Sequence, residues 1–86
     1  MGPVKRAADV IWRCAPHYLV LARPGTPPLV VSGGASELWN VLDEHDRSVE
    51  EICTLMAARL GTQEQAVRPG LRHLLERLTH AGYVVP

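Results

Sequence analysis

Apolar positions along this chain follow a period of two in the first third and a period near 3.6 afterwards. Val10, Trp12 and Cys14 alternate with Ile11 and Arg13, which predicts a half-buried strand. Ala15-Pro16-His17 reads as a turn, and residues 18–22, Tyr-Leu-Val-Leu-Ala, carry almost no polar relief. A strand apolar on both faces is expected at the centre of a sheet. Pro24, Gly25, Pro27 and Pro28 then lead into a third strand, Leu29-Val30-Val31. Prolines at its approach favour an edge position, because proline has no N–H to give to a ladder.

After Ser32-Gly33-Gly34 the rhythm changes. Ala35, Leu38, Trp39 and Leu42 recur at i, i+3, i+4 and i+7, predicting a first helix. Ser48 followed by Glu51 fits a capping box. It opens a second helix with the stripe Val49, Ile52, Cys53, Met56, Ala57 and Leu60, stopped by Gly61. A third helix is expected to begin near Arg68 with Pro69 in its first turn, since a proline further inside would remove a hydrogen bond. Leu71, Leu74, Leu75 and Leu78 form its stripe and Gly82 ends it, leaving Tyr83-Val84-Val85 to pack back on the core.

Three strands followed by three helices, with no room for crossover helices, predict an α+β domain. Its architecture would be winged helix-turn-helix-like, a three-stranded antiparallel sheet followed by three helices. The helices should cover one face of the sheet and leave the third strand on the rim. Residues 1–8 show no such rhythm and are expected to be a flexible lead-in, with residues 9–86 forming one domain.

Composition narrows the function. The 86 residues suit one small core and leave no space for separate substrate and cofactor domains. Nine basic and nine acidic side chains cancel, which removes the electrostatic drive that dominates nucleic-acid affinity. Arg68, Arg72 and Arg77 still cluster on the third helix, where an acidic peptide would find them. Cys14 and Cys53 lie far apart in apolar patterns and read as two reduced core cysteines. No signal peptide precedes Asp9, and the longest apolar run falls far short of the roughly 20 residues that span a bilayer. A soluble cytoplasmic protein with no membrane partner is expected.

Catalytic chemistry is poorly represented. His73 and His80 share a helical face, but about 10 Å of axial rise separates them, too far for one metal ion without other ligands. No metal site and no cofactor are expected. Ser32, Ser36 and Ser48 stand in turn or helix-start positions with no orienting triad. Glu50 and Glu51 begin a helix, where carboxylates favour the positive end of its dipole. Gly33-Gly34 lacks the rest of any phosphate-binding motif. Trp12 and Trp39 occupy core positions of a strand and a helix.

What remains is recognition. An exposed strand edge beside an amphipathic helix makes a groove for an extended peptide. Val67, Leu71 and Leu75 form a row on the third helix that would line it, flanked by Arg68 and Arg72.

Several segments carry a resemblance. They are Asp9-Val10-Ile11-Trp12-Arg13, the Val30-Val31-Ser32-Gly33-Gly34-Ala35 approach to Leu38-Trp39-Asn40-Val41-Leu42-Asp43, Ser48-Val49-Glu50-Glu51-Ile52, and residues 71–78 ending at Ala81-Gly82-Tyr83-Val84. In this order they resemble the PqqD-like family, the recognition elements of ribosomally made, post-translationally modified peptide (RiPP) pathways. The sequence departs from the family at Gly70, where an acidic residue is frequent, and at residues 43–47, which replace a tighter glycine turn.

The resemblance implies a non-catalytic peptide chaperone that binds the leader of a precursor peptide as an added strand and delivers it to a maturation enzyme. It places the contacts at Leu29, Val30, Val31, Ser32, Arg68, Leu71, Arg72 and Leu75. A domain of this length looks like the recognition protein of a lasso-peptide cluster, working with a leader peptidase, whereas the pyrroloquinoline-quinone member serves a radical enzyme. Two other readings stand beside it: a winged-helix DNA-binding transcription regulator, and an adaptor whose groove accepts a partner protein's own strand.

Overall fold

The computed structural model describes residues 2–86. Its centre is an antiparallel sheet in the order β2-β3-β4, formed by β2 (Ile11–Cys14), β3 (Leu19–Ala22) and β4 (Leu29–Val31). Leu21 pairs with Trp12 on one side and Leu29 on the other, and Leu19 pairs with Val31. Side chains alternate across a strand. Leu19 and Leu21 are therefore fully buried under the helices while Val30, at 62% exposure, points to the open face.

Cys14 departs from expectation. It ends β2 at the hairpin turn and is exposed although its cross-strand partner Leu19 is fully buried, whereas Cys53 is buried as expected. Burial pushes the Cys53 thiol up, and its Sγ donates to the Glu64 carbonyl at 3.6 Å.

Three helices follow the sheet: α1 (Gly34–Val41), α2 (Val49–Leu60) and α3 (Glu64–His80). Gly33 precedes α1 at φ 60, ψ −130, a conformation that a side chain disfavours. Ser48 caps α2 by accepting from the Glu51 N–H at 3.1 Å. The reciprocal half of the expected box is absent, because the Glu51 carboxylate turns to Arg47 instead.

The third helix begins earlier than the sequence suggested. Gln63 is its N-cap and Pro69 lies inside it. The lost bond would have ended on the carbonyl of Gln65, in an exposed turn where water can serve it. Side chains of α2 hold that turn, with Thr54 Oγ1 donating to the Glu64 carboxylate at 2.6 Å and Cys53 reaching the Glu64 carbonyl.

Residues 4–7 are not a loose lead-in. Val4 exchanges backbone hydrogen bonds with Arg47, both at 2.9 Å, and is buried. Lys5–Arg6 forms β1, which pairs antiparallel with β5 (Val84–Val85) in a second small sheet. Met1 of that expected segment lies outside the described residues. A two-residue strand has no readable period, and its partners come from the other end of the chain.

Arg6 links this sheet to the core. Its guanidinium lies 4.5 Å from the Trp12 ring centroid and 5.0 Å from that of Trp39, and it donates to the Trp39 carbonyl at 2.7 Å. The two indoles meet edge to face at 5.6 Å. Cation–π contacts of this partly desolvated kind are worth up to about 2 kcal/mol. Arg6→Ala should therefore lower Tm by roughly 10 °C and shift the tryptophan emission, both measurable in one thermal scan.

Candidate peptide-binding groove

The outer edge of β4 is unpaired. Among the described residues, no backbone group of residues 29–32 bonds to anything outside the sheet, and β3 lies on one side only. Beside this edge runs a groove of about 790 Å³ between β4 and the C-terminal half of α3. Leu29, Val31, Ala35, Leu74, Leu78 and Ala81 supply its apolar surface. A Cβ on Gly34 would stand 3.5 Å from Leu74 Cδ1, an ordinary van der Waals contact, so the start of α1 directly abuts the groove floor. His73, Arg77 and His80 line the helix side, together with Glu76.

The four strand residues named from the sequence, Leu29, Val30, Val31 and Ser32, all line this groove. Arg68, Leu71, Arg72 and Leu75 do not. They turn toward α2 and border a separate hollow of about 370 Å³ with Val49, Glu50 and Pro69. Leu71 and Leu75 are 2% and 0% exposed, so the row expected to line the peptide site is core. Arg68 is engaged in a two-pronged ion pair with Glu50 at 2.6 and 2.7 Å.

Leucines at 71, 74, 75 and 78 fit two neighbouring helical faces. The packing of α2 decides which one is buried. Leu74, half-buried, belongs to the groove, and the signal that would have found its companions was already visible in the shared face of His73 and His80. Among the described residues no third metal-ligating side chain joins those histidines in a cluster.

The Arg68 guanidinium holds the Glu50 carboxyl below its usual range, and Glu50 raises Arg68 in turn. Asp43 is lowered too, chiefly by the Glu44 N–H at 2.7 Å. Carboxyls depressed on folding stabilise above their unfolded values, about 4, and that contribution is lost as pH falls through the lower folded values. Arg68→Gln should remove the Glu50 share, giving a shallower decline of Tm on the acid side of pH 5. Both groups are exposed, and the effect should be small.

An α+β domain with one open sheet edge facing an apolar groove is a scaffold for strand addition. The chain belongs to the family of coenzyme PQQ synthesis protein D (PqqD), whose family model matches residues 19–84. That match takes in β3, β4, all three helices and the start of β5. No curated protein and no solved structure gave a match.

Proposed function

We propose that this protein binds the leader segment of a ribosomally synthesised precursor peptide and presents it to a maturation enzyme, without itself catalysing a reaction. The observation that carries the reading is the unpaired edge of β4 beside an apolar groove. A leader added there would gain register from main-chain hydrogen bonds and selectivity from side chains inserted against Leu74 and Leu78. Membership of the PqqD family supports this role.

The receiving enzyme we assign is the leader peptidase of a lasso-peptide pathway, in the cytoplasm where precursors are made. No helix among the described residues is long and apolar enough to cross a membrane. The family's name favours a second reading, in which the enzyme served belongs to coenzyme PQQ synthesis. Coding regions next to this one would separate the two, a transglutaminase-like protease supporting the first and a radical enzyme the second. A nucleic-acid partner is disfavoured by the zero formal charge.

Backbone groups on an edge strand point alternately inward and outward, so of Val30 and Val31 one presents its N–H to the free side. Val30→Pro and Val31→Pro, made singly and checked for folding, should between them include a variant that loses leader binding by more than about tenfold. In a ¹⁵N-labelled sample, the amide signals of residues 29–32 should move on adding leader. Unmoved signals, or full affinity in both folded proline variants, would rule out strand addition.

A further inference from the structure

We infer that the helix wall of the groove is a reader of carboxylates: Arg77, with His73 and His80 as further hydrogen-bonding groups on the same helix face, selects extended peptides with acidic residues on their groove-facing side. The inference rests on the peptide-binding reading and names the chemical class of its ligand.

The three side chains stand at i, i+4 and i+7 of α3 and so share one face along the groove. Their span is about 10 Å by helical rise. Same-face side chains of an added strand repeat every ~7 Å, so two of them fit along that face. Apolar side chains would seat on Leu74 and Leu78 while a longer acidic one reaches Arg77. Among the described residues Arg77 has no ion-pair partner, in contrast to Arg68, Arg59 and Arg47, each already matched with a glutamate. The one free arginine of the groove is available to a ligand.

Other charges near the groove set how strongly it acts. Glu76 borders it too, three residues after His73 and four before His80, so a carboxylate stands beside both histidines and Arg77 is the cation of this wall. On the other walls, residues 29–32, Gly34 and Ala35 carry no ionisable side chain, and Glu37 of α1 is occupied by Arg59. At the C-terminal end Arg23 is engaged with Asp9 and lies 3.4 Å from the Ala81 carbonyl. Arg77 is therefore the group on which carboxylate selection turns.

The test is selection of a displayed random dodecapeptide library on immobilised full-length protein at pH 7. Wild type should enrich Asp or Glu two residues from an apolar position, the spacing that puts both on the groove-facing side, and Arg77→Glu should exchange that acidic preference for Lys or Arg. Arg72→Glu makes the same charge change on the opposite side of α3 and should keep the acidic preference. A synthetic enriched peptide should bind the Arg77→Glu protein roughly fivefold more weakly than wild type. Enriched peptides without an acidic bias, or an Arg77→Glu protein with unchanged preference, overturn the inference and leave the groove reading standing. A library that yields no binder to folded protein overturns both.

Discussion

Replacing Leu74 with glutamate should weaken peptide binding by roughly 30- to 150-fold while the domain stays folded. Leu74 lies on the groove floor, half-buried against the start of α1. In the free protein a carboxylate there can turn to water, so the stability loss should stay near 1 kcal/mol, the share of a partly exposed leucine. Once a peptide covers the groove, the same carboxylate is desolvated without a partner, a penalty of about 2–3 kcal/mol. That corresponds to the stated loss in affinity. Fluorescence anisotropy with labelled leader and a thermal melt report the two quantities separately. A folded variant that binds as wild type does would show that the peptide contacts another surface.

The neighbouring substitution should do the reverse. Leu75 is 0% exposed between α3 and α2, and Leu→Ala at such a site costs about 2–5 kcal/mol through lost burial and the cavity left behind. A domain of this size has about 5 kcal/mol of stability in total. Leu75→Ala should accordingly shift the urea midpoint strongly and leave much of the protein unfolded at 37 °C. Binding per folded molecule, measured at low temperature, should change little. If Leu75→Ala instead abolished binding at unaltered stability, the orientation of α3 described above would be incorrect.

Arg68 and Arg72 illustrate the same lesson through charge. Three arginines on one helix look equivalent in a linear reading, yet only Arg77 faces β4. Arg68 is matched by Glu50 across the α2–α3 contact, and Arg72 stands on the far side of the helix. Helical periodicity fixes their angles relative to one another. It does not fix which direction points toward the sheet.

The N-terminal residues failed to register for a different reason. Val4 and Ala7 are two small apolar residues among charged neighbours, and nothing local marks Lys5 and Arg6 as a strand. Their hydrogen bonds end on Arg47, Asp43, Tyr83 and β5, all more than 30 positions away. The early start of α3 has a similar origin, since the α2 side chains that hold its first turn are supplied by folding.

The sequence by itself determined the three strands of the central sheet, the three helices, their order and the edge position of β4. Period-two and period-3.6 burial, glycine stops and prolines before a strand are local constraints that any fold of this chain must meet. Only the tertiary structure decided the rotation of α3, and with it whether Leu74 or Leu75 faces the groove. A helix with leucines on two adjacent faces is indifferent between them until α2 packs against one. The face left over becomes the wall opposite the open strand.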